Sequence, residues 1–269
     1  DNVNFTSKAL LGSLSFAMLT TTSCMMEEDL VAKAGKASIQ IDLSTAADFS
    51  TETKAVNESD YLNLNNYKIE IWQNEPLKKD FTYSDRPASI ELPNGTYTLK
   101  AYYGTDAAYS RTGFRMEGGT IFNMEGQNMT VPCNCYPTVG KLKVQFDASM
   151  ASYFSDYQVV FTTPSIPDNT VTWTKSDSEP WYIRLAKGGE TVTAVITLTP
   201  KSDYVVSSTT VPVTRTHLLK PNEAWALQIA ASYTSNNGQL GISIKIDSGT
   251  NDKPIDIIVP TEWTQTTQN

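Results

Sequence analysis

The feature that most constrains this chain is a two-residue alternation of apolar and polar side chains, broken at short intervals by turn residues. Ser38–Leu43 (SIQIDL) puts Ile39, Ile41 and Leu43 on one face, the spacing of a half-buried strand. The same pattern recurs at Tyr67–Trp72, Ala88–Leu92, Thr96–Tyr103, Gly119–Asn123 and Asn128–Val131. It restarts at Lys141–Asp147 (KLKVQFD) and continues through Val171–Thr174, Trp181–Leu185, Glu190–Thr199, Tyr204–Thr210, Ala224–Ser232, Leu240–Asp247 and Ile255–Val259. No segment keeps a helical period over a useful length. Pro93-Asn94-Gly95 and Asn236-Asn237-Gly238 stand between alternating runs, and Asn-Gly supplies the positive φ of a tight hairpin. The pattern therefore predicts an all-β chain of antiparallel β-sandwiches.

Two sandwiches in tandem are expected. Tyr67–Ile71 (YKIEI) in the first half is echoed by Tyr157–Phe161 (YQVVF) in the second. With the boundary near Pro137, the sandwiches span 37–137 and 138–269, after a leader at 1–23 and a tether at 24–36. A chain of 269 residues can build such cores without metal or disulfide. Its 21 Lys and Arg against 29 Asp and Glu give a charge of −8. With no Lys/Arg-rich run to neutralise phosphates, nucleic acid is not an expected partner.

The N-terminal stretch sets the expected address. Lys8 precedes an apolar run, Ala9–Leu19, too short to span a bilayer and suited to the core of a signal peptide. The following Thr-Thr-Thr-Ser-Cys, ending at Cys24, resembles a bacterial lipobox, although Thr21 stands where Leu is usual. That resemblance implies acylation of Cys24 and a lipid anchor, since several acyl chains hold a protein durably at a membrane. Glu27-Glu28-Asp29, just beyond, resembles the surface-export signal of Bacteroidetes lipoproteins, which implies display on the outer face of the outer membrane.

Chemistry-bearing residues are sparse. His217 is the one histidine; no Gly-x-Ser-x-Gly elbow accompanies it and no second histidine offers a metal pair, so it reads as structural or exposed. No cofactor and no metal site are expected, and no enzyme. Cys133 and Cys135 flank Asn134; residues i and i+2 of a strand lie near the limit for a disulfide, which leaves bridged and free states both open. Trp72, Trp173, Trp181, Trp225 and Trp263 lie in or beside strands and read as packing residues, whereas Tyr102, Tyr103 and Tyr109 flank a glycine-containing turn and are candidates for ligand contact.

Leu92–Gly104 (LPNGTYTLKAYYG), together with Leu219-Lys220-Pro221-Asn222 and the final Val259-Pro260-Thr261-Glu262-Trp263, resembles Bacteroidetes surface lipoproteins catalogued as a domain of unknown function. These are similar in layout to the fimbrillins. The resemblance implies a non-enzymatic surface lipoprotein for adhesion, whose partners are a surface protein, a pilus subunit or a glycan. It also implies an alternative, a pilus subunit cut near Lys54 (Thr-Glu-Thr-Lys-Ala), which would release Ser38–Leu43 and open a groove for a donated strand; a glycan-binding lipoprotein is the further alternative.

Overall fold

A computed structural model describes residues 35–47, 49, 58–203, 211–234, 239–247 and 255–258. In the first half lie β1 (Lys36–Thr45), β2 (Lys68–Trp72), β3 (Leu77–Thr82), β4 (Ile90–Pro93), β5 (Gly95–Gly104), β6 (Tyr109–Ser110), β7 (Arg115–Met124) and β8 (Met129–Pro137). The second half holds β9 (Val139–Phe146), the short helix α1 (Ser149–Tyr153), β10 (Phe154–Thr162), β11 (Val171–Thr174), β12 (Trp181–Arg184), β13 (Glu190–Pro200), β14 (Val211–Leu219), β15 (Ala224–Thr234), β16 (Gln239–Asp247) and β17 (Ile255–Ile258). The fold is all-β. Among the described residues no helix is long and apolar enough to cross a membrane.

The two halves repeat one strand plan. In the first, β3-β2-β5-β7 forms one layer and β8-β1-β4 the other, joined where Met116 and Glu117 of β7 pair with Pro137 and Tyr136 of β8. In the second, β11-β10-β13-β14 answers the first layer, and β15-β9-β12 lies at the centre of a sheet extended by β16 and β17 on one side and by β6 on the other. The echo between Tyr67–Ile71 and Tyr157–Phe161 therefore marks equivalent strands, β2 and β10. The leading strand of each half departs from a purely antiparallel sandwich: β1 runs parallel to β8, and β9 parallel to β15.

Alternation explains the cores. Ile39, Leu43, Ile69, Ile71, Leu99, Met116 and Val131 turn into the first; Leu142, Val144, Val159, Phe161, Trp173, Ile196, Trp225 and Leu227 fill the second. Each fully buried aliphatic or aromatic side chain contributes about 1.5–3 kcal/mol. Pro93-Asn94-Gly95 is not the hairpin its sequence suggests. β4 pairs with β1 while β5 pairs with β2 and β7, so the turn carries the chain from one layer to the other. Pro93 ends the edge strand because it has no N–H to donate, the Asn94 N–H donates to Gly35 (3.1 Å), and Gly95 takes a φ of 151°. The strands on either side of the second Asn-Gly do pair as neighbours: β15 and β16 run antiparallel from Ala226↔Asp247 to Thr234↔Gln239, while Asn236-Asn237-Gly238 lies outside the described residues. Tyr204–Thr210 and Trp263 lie outside the described residues.

Candidate functional site

The junction of the halves carries both a sealed charge and an open cleft. β9 is covered on both faces. Leu142 and Val144 enter the second core, whereas Val139 packs into the first, together with Tyr182 of β12 and Ala224 of β15. Lys141 shares that second face and is fully buried. Its Nζ donates to Glu58 Oε1 at 2.9 Å, and the Tyr182 hydroxyl donates to the same oxygen at 2.7 Å. Glu58 lies in the 3-10 turn Glu58–Leu62. Phe49, packed edge-on to Phe114 and Tyr182 at 5.3 and 5.5 Å, helps to close the pocket around the ammonium. Two further ion pairs cross between the halves: Asp106 with Arg184 at 2.6 Å, and Arg111 with Asp177 at 3.2 Å. The Arg111 guanidinium also lies 4.1 Å over the Trp181 ring. Burial alone would raise Asp177, but the Thr174 N–H and Arg111 outweigh it and hold its carboxyl below the usual aspartate range.

On the outer face of the first half's β5 layer the same junction opens into a cleft of about 1050 Å³. Its floor is the outward row of β5, Thr98, Lys100 and Tyr102, beside Glu70 of β2 and Glu117 and Gly119 of β7. The opposite wall comes from the second half: Arg184 ending β12, Lys187 in the loop to β13, and Pro221-Asn222. Lys220–Glu223 is a turn with Pro second and Asn third; the Glu223 N–H donates to the Lys220 carbonyl at 3.1 Å, and Asn222 takes a φ of 69°, as a type II turn requires. The Leu-Lys-Pro-Asn stretch thus shapes the cleft wall.

Of the tyrosines expected to meet a ligand, Tyr102 lines this cleft. Its hydroxyl donates to Glu70 Oε1 at 3.1 Å, and the Arg115 guanidinium stacks over its ring at 3.9 Å. Burial, then the bond to Glu70, pushes its phenol above the ordinary range. Tyr103, on the other face, packs against Tyr61 and Tyr67 at 5.2 and 5.6 Å. Tyr109 lies edge-on to Trp181 at 5.7 Å. Both are taken up in packing. Tyr136, half exposed, joins Tyr102 at the cleft and carried no sequence signal as a site residue.

Cys133 and Cys135 are buried on the inner face of β8 as separate thiols. The Cys135 contact lowers Cys133 against the opposing effect of burial, and the same contact, then burial, pushes Cys135 up. Cys24 and Lys54 lie outside the described residues. His217 stacks on Trp225 at 5.3 Å; burial lowers its pKa, with Glu223 opposing. Among the described residues, no three His, Cys, Asp or Glu side chains gather as metal ligands.

A family model matches residues 35–261. The chain belongs to the family described as Domain of unknown function (DUF4493). No curated protein matches it. Among solved structures it is similar to a candidate polysaccharide-binding protein of Bacteroides thetaiotaomicron, at 11% identity and a TM-score of 0.47, covering 84% of this chain and 99% of that one. It is also similar to the fimbrial anchor protein Mfa2 of Porphyromonas gingivalis (9%, 0.42, covering 79% and 98%) and to a fimbrial assembly protein of Parabacteroides distasonis (11%, 0.41, covering 82% and 98%).

Proposed function

We propose that this DUF4493 chain is a non-enzymatic surface lipoprotein that makes adhesive contacts through the cleft between its two sandwiches. The observation that carries the reading is the cleft's construction. Its floor is a hydrogen-bonded sheet face presenting Tyr102 under the Arg115 guanidinium, and the half that supplies its far wall is joined to the first by a buried ion pair, which favours a recognition surface formed before a partner arrives. Clefts at domain junctions that combine aromatic rings with a few directed polar groups are common binding sites, and preorganisation lowers the ordering cost of association. Acylation at Cys24 and export beyond the outer membrane complete the proposal; they rest on the Cys24 and Glu27-Glu28-Asp29 sequence pattern.

The test is adhesion of cells displaying the full chain to mucin- and polysaccharide-coated surfaces. Replacing Tyr102 and Arg115 together by Ala lowers retention at least about tenfold at equal surface amount; unchanged retention contradicts the cleft as the contact site. Loss of the protein from the membrane fraction in a Cys24→Ala variant tests the anchor, and full retention at unchanged mass contradicts it.

A second reading, a pilus subunit assembled by strand exchange after a cut near Lys54, is favoured by the place of β1. It pairs with β4 on one side and β8 on the other and buries Ala37, Ile39 and Leu43. Its removal would leave two unpaired strand edges flanking an apolar trough, which an added extended segment satisfies. Intact-mass analysis of the protein from native envelopes distinguishes the readings: a chain beginning at Ala55 supports assembly, and an uncut chain from Cys24 supports the tethered adhesin.

A further inference from the structure

We infer that the cleft takes an acidic polysaccharide, a sugar polymer bearing ring carboxylates. This deepens the adhesive reading above and rests on it. The cleft is lined by four cations, Lys100, Arg115, Arg184 and Lys187, and three carboxylates, Glu70, Asp106 and Glu117, in a chain whose formal charge is −8. The local balance therefore reverses the overall one, and the hydrogen bonding sharpens the reversal. Each carboxylate is engaged by the protein itself: Glu70 accepts from the Trp72 indole (2.9 Å) and the Tyr102 hydroxyl, Glu117 from Arg115 (3.1 Å), and Asp106 from Arg184 (2.6 Å).

The cations keep donors to spare. Among the described residues no carboxylate lies within ion-pair distance of Lys100 or Lys187. Lys100 rests 5.3 Å over the Trp72 ring, which positions its ammonium on the floor, opposite Glu70 in the β2–β5 register. Both lysines are exposed, one on the floor and one on the facing wall, so an anion between them meets charge from two sides. Gly119 sits opposite Lys100 in the β5–β7 register and projects no side chain over the floor.

The remaining lining suits sugar better than peptide. Thr98 and Thr138 offer hydroxyls and the half-exposed Tyr136 a ring face, groups that match the hydroxyls and the C–H faces of a pyranose. A volume of about 1050 Å³ accommodates several rings of a chain passing through. Charge-assisted bonds from ammonium to carboxylate would then set the preference for an acidic polymer over a neutral one.

The experiment is retention of the full chain on immobilised polygalacturonate, with dextran as the neutral control and poly-glutamate as the acidic peptide control. Polygalacturonate is expected to bind, with affinity falling as salt rises from 0.05 to about 0.5 M, and dextran is not. The double variant Lys100→Ala/Lys187→Ala loses about tenfold or more, while Lys100→Arg/Lys187→Arg retains binding; unchanged thermal midpoints show that both variants fold. Equal binding of dextran, unaffected by the lysine changes, overturns the acidic class while leaving the cleft as a contact site. Equal or tighter binding of poly-glutamate overturns the sugar. Failure to bind any polysaccharide overturns the inference outright, and the Tyr102/Arg115 adhesion test still decides the broader reading by itself.

Discussion

The leading strands of the two halves, β1 and β9, occupy equivalent places in the same plan, each between one antiparallel and one parallel neighbour, yet their outward faces meet different surroundings. On β1 the outward residues Gln40, Asp42 and Ser44 are exposed to water. On β9 the corresponding face carries Val139 and Lys141, both buried because the first half packs against it. A polar residue at an outward strand position needs no partner in the first case; in the second its charge has been taken out of water and must be matched, which Glu58 does while accepting a further bond from the Tyr182 hydroxyl. Two copies of a strand plan are thus joined where a face that alternation leaves polar is covered and its charge is paired across the junction.

That contrast makes the largest prediction. Lys141→Ala leaves Glu58 buried with its cation partner removed and is expected to cost about 3–5 kcal/mol, whereas Gln40→Ala on β1 changes stability by no more than about 0.5 kcal/mol; urea denaturation of both variants measures the difference. Similar costs at the two positions would break the comparison. Next in size is Glu190, buried at the start of β13, where it accepts from the N–H groups of Ser165 (2.8 Å) and Ala186 (2.7 Å) and from the Ser165 hydroxyl. Burial alone would raise it, but these bonds prevail and hold it below the ordinary glutamate range. Glu190→Ala should cost about 1–3 kcal/mol at neutral pH. Because the folded-state pKa is the lower one, the stabilisation is present above the unfolded value of about 4.3 and is lost as the pH falls through the folded value. Denaturation from pH 7 to 3 should show the wild-type advantage over Glu190→Gln shrinking only below that point.

Smaller effects sharpen the same picture. The Asp106–Arg184 pair crosses the junction where both side chains are exposed to a large extent, so Arg184→Ala is expected to change stability by less than about 1 kcal/mol, measurable as a small shift of the thermal midpoint. The smallest effect belongs to His217, which burial keeps below its ordinary range. Its neutral form is the one the fold favours, so its contribution is complete above the unfolded value of about 6.5 and is lost as the pH falls from there through the lower folded value. His217→Gln should flatten the stability profile between pH 7 and 5.

Much of the architecture is legible in the alternation, because inward faces of Ile, Val and Leu report burial directly. It fails where burial is one-sided or absent. β3 (LKKDFT) has exposed residues at successive positions and so no period to detect; it is an edge strand whose lysines discourage pairing with another chain. β14 contains Pro212, which a central strand would reject and an edge strand tolerates. The Asn-Gly at 94–95 signals a turn correctly but cannot say whether the strands it joins are neighbours. The cleft was the least legible feature. Tyr102 was visible beside its glycine turn, but Arg115, Arg184 and Lys187 come together only when the two halves dock, and each alone is an ordinary surface cation. Lys141 carried no signal either, since a lysine outward on a strand is the commonest arrangement.

Hydrogen exchange of the full chain, with and without saturating polygalacturonate, tests the central claim most directly. The account predicts added protection confined to residues 98–104, 115–119, 184–187 and 221–222, the strands and turns that bound the cleft. Protection along β1, β4 and β8 with none at these segments would contradict it and locate the contact at the β1 trough instead.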